Sequence, residues 1–398
     1  MVCVGLCAGC SRRPHATETR GMQQPEACWI RVLLFGNLNE CVISGYGNLV
    51  IEDREMGVTA RFNRPNQTLT VRMDAGKLRI GEHLFNGDMM IRTETPFVFT
   101  VDELPFRGHL RLSRNDDGMT FSAINHVPVE SYLCGVIAAE MQSYWEPEAL
   151  KAQAIASRTY CLFIKHRFGR GRDWDVRRSQ AHQVYRGLTA ETAPTNEAVF
   201  QTTGIVLVCP DKSGKHTIFP AYYSSACGGH TENSRFIFGD TFSVLQGVEC
   251  PYCRKTTRSD YFYWTGPLFS REEITRRLLD RYPSLARLES VEQLEAAQQS
   301  EIGRIVSVRL IGKNGNTAFL RGEDFRLALD PSGRKLKSVI FTIRRTNQGF
   351  EFVEGRGFGH GVGLCQSGAQ ALARTGASFS EILQYYYPGS QLVRLKES

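Results

Sequence analysis

The sequence predicts an α+β fold, with a β-rich N-terminal part followed by a mixed core that carries an inserted α/β subdomain. Three observations lead there. Short runs rich in β-branched and aromatic residues, broken by Gly, Asn and Asp, fill residues 29–126. The apolar spacing turns helical at Val129, and strand-like runs return beyond a charged helical stretch near residue 270. At 398 residues the chain is long enough for two or three domains, each with its own core. No stretch approaches the run of about twenty apolar residues that crosses a bilayer.

The elements follow in order. Residues 1–28 read as a polar tail whose start, Met1-Val-Cys-Val-Gly-Leu-Cys-Ala-Gly-Cys10, has two readings. One is the end of a signal peptide running into a lipid-attachment cysteine at Cys10, with Ala8 and Gly9 as the small residues before it. The other is a tail without structure, since Cys7 stands where such a box carries Leu and no basic segment precedes it. From Trp29 to Phe35, Leu69 to Arg72 and His109 to Leu112 the pattern is β, giving a β-rich domain over 29–126. Val129 opens a first helix, and Pro147 suits the first turn of a second that runs towards His166. Residues 270–300 are charged and carry helical spacing, as in Glu272–Leu279. Ile305–Ile311 and Val339–Ile343 read as strands, so about 267–345 forms a subdomain inserted into a core spanning 127–398. Ser378-Phe-Ser-Glu381 is a capping box for a last short helix that Pro388-Gly389 stops.

The formal net charge of +7 points to acidic partners. The basic residues are spread out and lack the aromatic interleaving of RNA-binding sheets, so no nucleic acid is expected, and an anionic polysaccharide suits the charge equally well. Twelve cysteines do not form the dense framework of a small secreted scaffold. Cys134, Cys161 and Cys365 read as buried free thiols.

Three clusters can carry chemistry. Val129, Leu133, Val136, Ile137 and Glu140 fall at i, i+4, i+7, i+8 and i+11, so a carboxylate continues an apolar stripe. Desolvation there raises its pKa, as a general acid requires; alternatively Glu140 sits at the helix end and reaches water or a basic partner such as Arg158. The second cluster is Cys227-Gly-Gly-His230 with Cys250-Pro-Tyr-Cys253. Three thiolates and an imidazole at these spacings suit a closed structural zinc site, the alternative being a disulfide from Cys250 to Cys253 or Cys227. The third is Gly355-Arg-Gly-Phe-Gly-His-Gly-Val-Gly-Leu-Cys-Gln-Ser-Gly368, with six glycines. It has no P-loop lysine, and His360 and Gln366 suit hydrogen bonds to sugar hydroxyls, unless the run is simply a tight turn with a buried histidine.

Taken together, Val127-Pro-Val-Glu-Ser-Tyr-Leu133, Ala138-Ala-Glu-Met141, Ala149-Leu-Lys-Ala-Gln-Ala-Ile-Ala-Ser-Arg-Thr-Tyr160, Gln183-Val-Tyr-Arg-Gly187, Ser225-Ala-Cys-Gly-Gly-His-Thr-Glu232 and the glycine-rich run resemble the stage II sporulation protein D family over about residues 127–398. Leu336-Lys-Ser-Val-Ile-Phe341 is similar to the amidase-enhancer branch. The resemblance implies a lytic transglycosylase in the cell envelope, periplasmic or extracytoplasmic, that cuts peptidoglycan glycan strands lacking stem peptides, with Glu140 as acid and base. It further implies that Arg158, Tyr160, Ser224, Ser225, His360 and Gln366 line the glycan cleft, with Arg158 on the lactyl carboxylate of a muramic acid. Family members with a metal beside the cleft carry two cysteines around the segment that here reads Ala181-His-Gln-Val-Tyr185. Both are missing, so zinc is expected at Cys227, His230, Cys250 and Cys253, and His182 is either a cleft residue or a surface one. A second reading makes the chain a non-catalytic glycan-binding activator of a cell-wall amidase.

Overall fold

The computed structural model describes residues 29–395 apart from 54–56 and 58, so the reading of Cys10 falls outside the described residues. The mixed α+β fold is as the sequence predicts. Trp29–Leu38 lies antiparallel to Phe121–Pro128 in a seven-stranded sheet, whose other members before residue 120 are His109–Arg114, Met89–Thr93, Leu49–Asp53 and Thr59–Phe62. A six-stranded sheet runs through Leu104–Arg107, Val98–Val101, Glu40–Gly45, Leu69–Asp74, Lys77–Ile80 and His83–Phe85. Alternation sets the faces: Leu69 and Val71 are buried while Thr70 and Arg72 are exposed. Both sheets pour their inward side chains into one core, which includes Ile30, Val32, Val71, Phe99 and Leu112.

Helix α1 (Val129–Glu140) enters that same core with Val129, Tyr132, Leu133, Val136 and Ile137. It is buried nearly all round from Val129 to Ile137, beyond the single apolar stripe of the sequence pattern. Helix α2 (Pro147–Phe168) starts on its proline as expected and is the spine of the molecule. Its Ala149, Leu150, Ala154, Cys161 and Ile164 face the first core. Ala152, Ile155 and Ala156 face a second, built with Leu207, Phe219, Val362, Leu364 and Tyr387. Small alanines on both sides let neighbouring chain approach α2 closely.

Beyond α2 the chain returns to the first sheet. Val176–Arg177 pairs in parallel with Trp29–Leu38, Val32 opposite Val176. The anchor is Arg31, which donates to Asp175 from its backbone (2.8 Å) and its guanidinium (2.7 Å). A third core holds Phe269, Ile274, Leu278, Ile305, Leu310, Phe325 and Phe352. Around it stand helices Arg271–Arg281 and Gly322–Leu329 and a three-stranded sheet of Val291–Gln299, Ile305–Gly312 and Thr317–Arg321.

Two sequence expectations change here. The helical stretch expected as far as residue 300 is an α-helix to Arg281 and a 3-10 helix over Pro283–Leu288, and Val291–Gln299 is an edge strand despite its glutamate, glutamine and alanine content, because pairing to Ile305–Gly312 overrides local preference. The strand expected from Val339 begins at Thr342. Val339 and Ile340 instead give their carbonyls to Ile305 and Arg356, two separate segments, and make no ladder. The Ser378–Glu381 capping box is present and opens Phe379–Tyr386.

Candidate active site and metal centre

Glu140 is the last residue of α1, where the helix dipole gives a carboxylate no help. Its Oε1 accepts the backbone N–H of Val184 at 2.9 Å. Burial raises its pKa above the ordinary glutamate value, and the Val184 N–H, the nearby Arg186 charge and the Gln366 side chain pull it part of the way back. None of those partners is a carboxylate.

Around it stands a buried amide and hydroxyl network. Gln366, the first residue of helix Gln366–Arg374, reaches Glu140 and also donates to Gln153 Oε1 at 3.4 Å. Gln153 donates to the Ser157 hydroxyl at 3.0 Å. Gln183 donates to the Tyr223 hydroxyl (3.0 Å) and the Ser157 carbonyl (3.2 Å) and accepts from Tyr132 (3.0 Å). Tyr223 stays protonated, since burial first and the Glu140 charge second push its pKa well up. Gln153, Gln183 and Tyr223 were not among the expected site residues, although all three stand inside or beside the quoted motifs; their amide and phenol types carry no charge signal, and only the fold reveals that they share one network.

The two short strands Tyr223–Ser224 and Leu364–Cys365 pair in parallel and carry the floor of the site. The glycine-rich run wraps over it: a Cβ on Gly363, whose φ is +70°, would stand 2.1 Å from the Tyr222 carbonyl. Ser224 is buried with its hydroxyl unpartnered, and the Ser225 carbonyl accepts both the backbone and side chain of Ser367 (3.0 and 2.9 Å). Tyr160 packs against the rings of Tyr222 and Tyr223. His360 sits edge-on to Phe238, accepts the Val362 N–H at Nδ1 (3.1 Å), and is pushed down to about 4, chiefly by burial. It is neutral at physiological pH. His182 lies against Trp174 and accepts the Arg177 N–H at 3.3 Å.

Arg158 is a correction. It is buried in the first core's edge, with a bidentate bond to Glu130 (2.9 and 2.6 Å) and further bonds to the carbonyls of Ile205 and Val199 (3.1 and 3.3 Å). A guanidinium so engaged neither meets a sugar carboxylate nor pairs with Glu140. The exposed Arg186 is a cation whose charge acts on Glu140, and further exposed arginines stand at the end of α2 and in the loop after it. Arg172 and Arg177 cover the Trp174 ring at 4.9 and 4.7 Å, and Arg167 and Arg172 cover Phe168 at 5.5 and 5.3 Å. Seven residues on, the same loop delivers the Val184 N–H to Glu140.

The metal cluster is also corrected at one position. The Sγ atoms of Cys227, Cys250, Cys253 and Cys365 lie within 4.8 Å of one another, all buried. His230 is outside: its Nδ1 turns to the Thr231 carbonyl at 2.6 Å. Cys365, read from the sequence as a lone buried thiol, supplies the fourth sulfur from the N-cap of helix Gln366–Arg374. Cys227 and Cys253 Sγ are 3.7 Å apart and all four are free thiols. A tetrahedral ion with bonds of about 2.3 Å to sulfur sets its sulfurs about 3.8 Å apart, so this donor set fits a four-thiolate metal. The Cys227 N–H supports the Cys365 sulfur at 3.3 Å, and Tyr386 meets Cys250 at 3.1 Å.

The carboxyl of Glu140 thus stands over paired short strands, under a glycine run and beside a four-cysteine cluster. A family model described as Stage II sporulation protein matches residues 117–209, and one described as a domain of unknown function matches 247–363. A stage II sporulation protein D of Bacillus amyloliquefaciens is 31% identical, the match covering 67% of this chain and 74% of the relative. An uncharacterised protein of Brachyspira hyodysenteriae is 32% identical over 75% of both chains. An amidase enhancer of Bacillus subtilis is 28% identical over 65% of this chain and 40% of its own length. This chain belongs to the stage II sporulation protein D family.

Proposed function

We propose that this protein remodels the bacterial cell wall as a lytic transglycosylase, cutting peptidoglycan glycan strands that have lost their stem peptides. The observation that carries the reading is Glu140, a carboxyl whose pKa burial raises and on which, among the described residues, no second carboxylate acts. Ordinary glycosidases need two such groups. Here the sugar supplies its own nucleophile. Glu140 gives its proton to the glycosidic oxygen as the C1–O bond breaks, then takes the proton of the muramic acid 6-hydroxyl as that oxygen bonds to C1. No water enters, and the product end is an anhydro sugar. Gln366 and the Val184 N–H hold the carboxyl for both transfers.

The Arg172–Trp174–Arg177 stack supports the substrate class, because removing the stem peptide leaves one free lactyl carboxylate on each disaccharide. Tyr160, Ser224, Ser225 and His360 are assigned to the cleft floor. We further assign zinc to the four-cysteine cluster as a closed structural ion, and the cell envelope as the site of action.

A second reading, a glycan-binding activator of a cell-wall amidase, is favoured by the similarity to an amidase enhancer. Incubating the protein and its Glu140→Gln variant with peptide-stripped strands, and identifying products by mass spectrometry, separates the two. Anhydro-muramic ends from the unmodified protein alone are expected. If neither protein cuts while both bind the strands equally, the activator reading replaces this one.

A further inference from the structure

Arg304 is a fully buried cation that, among the described residues, makes no ion pair. It is 0% exposed, its Nη2 donates to the Cys227 carbonyl, and its Nε and Nη1 have no hydrogen-bond partner. Among the described residues no carboxylate lies within ion-pairing reach of it. The charges it feels come from Cys227, Glu232, Glu323 and Cys365. Glu323 is already committed to Arg326, with one bond at 3.0 Å. Glu232 turns one oxygen to the Asn233 N–H (2.8 Å) and leaves the other unpartnered. The fold makes room for this arginine deliberately: a Cβ on Gly361, at φ +71°, would stand 2.0 Å from Nη2.

An unpaired buried guanidinium is costly, and so is a dry site for four thiolates. Each cost offsets the other. When a divalent ion binds four cysteines, four protons leave and the centre carries a net charge of two minus. We propose that Arg304 is the counter-charge of a four-thiolate zinc centre at Cys227, Cys250, Cys253 and Cys365, held against it by the Cys227 carbonyl and the glycine gap at Gly361. It is a positioning residue for the metal, with no part in the cutting step. The inference rests on the zinc assignment above and is independent of whether Glu140 cuts glycan.

The test reads metal binding and leaves activity aside. Full-length protein, Arg304→Met, Arg304→Lys and Glu232→Gln are loaded with zinc, counted by elemental analysis and titrated against a chromophoric chelator; cobalt replaces zinc to report thiolate coordination by absorption. One ion per chain and a four-thiolate cobalt spectrum are expected for the unmodified protein. Arg304→Met should hold zinc about 10- to 100-fold more weakly, the usual loss for a supporting residue around a metal. Arg304→Lys, which keeps the charge, should recover most of that loss, and Glu232→Gln should bind zinc at least as tightly as the unmodified protein. Equal affinity in Arg304→Met overturns the proposal, as does a weakened site in Glu232→Gln, which would make Glu232 the partner of Arg304. A cobalt spectrum without four thiolates removes the metal centre itself. Should Arg304→Met fail to fold, unmodified protein labelled with 15N-arginine serves: stripping zinc should shift one strongly protected Nε–H resonance, and an unchanged spectrum sinks the idea.

Discussion

At the scale of single residues, the site sets two opposed demands on Glu140. Because burial holds its pKa above that of the unfolded chain, the folded state binds its proton more readily. The stability tied to this group is therefore complete below the unfolded value and is lost as pH rises through the folded one. Glu140→Gln keeps the acceptor for the Val184 N–H and removes that loss. It should melt higher than the unmodified protein at pH 8, melt nearly the same at pH 4, and make no anhydro ends; equal melting at pH 8 would show that the carboxylate is not strained. Activity should fall as pH rises through the Glu140 pKa. His360, pushed down to about 4 by burial, is neutral in the folded protein where Glu140 does this work. Arg158 behaves oppositely to its sequence reading. Breaking its buried pair with Glu130 should cost about 3–5 kcal/mol in Arg158→Ala by urea unfolding, while the affinity of the remaining folded protein for glycan stays unchanged. A weakened affinity would return Arg158 to the cleft.

At the scale of elements, the loop between α2 and Val184 does two jobs, presenting a cationic stack outward and a backbone N–H inward. Each exposed Arg–carboxylate contact contributes up to about 1 kcal/mol. Replacing Arg172 and Arg177 together by Ala should raise KM for peptide-stripped strands about tenfold, flatten its salt dependence and leave kcat alone. A kcat loss of the same size would mean that the loop's inner edge had moved.

Elements were also where the sequence spoke most clearly. The helix pair, the capping box at Ser378 and the strand alternation after Trp29 are local patterns and are legible without a fold. Glu140 is legible only as an anomaly, because the same spacing also suits a carboxylate that simply ends the helix, which is where it stands. Arg158 and Cys365 are anomalous too, yet sequence cannot say which distant group answers them: Glu130 is 28 positions away, and Cys227 is 138. Val291–Gln299 misleads for the same reason, its strand state being imposed by a neighbour and absent from its own composition.

At the scale of the whole molecule, the four-cysteine cluster ties together three stretches of chain, at Cys227, at Cys250 to Cys253, and at Cys365. The last of these is followed at once by Gln366 on Glu140. On the proposed zinc and cutting assignments, treating the protein with a strong chelator should lower the melting temperature and slow cutting together, and restoring zinc should recover both; differential scanning calorimetry with metal counted before and after checks it. An unchanged melting curve in metal-free protein would make the cluster dispensable to the fold.

The parallel pairing of Val176–Arg177 onto Trp29–Leu38 bears on how such a protein can be taken apart. The family match begins at residue 117 and so includes Phe121–Pro128, but the strand wedged between that segment and Val176, Trp29–Leu38, lies outside it, earlier in the chain. The front sheets are thus no detachable cassette. A fragment trimmed to the recognisable family region would leave two strands facing an empty slot and the Glu140 loop without its tether. A seam around the third core would spare both, provided that the graft keeps Arg304 on the Cys227 carbonyl.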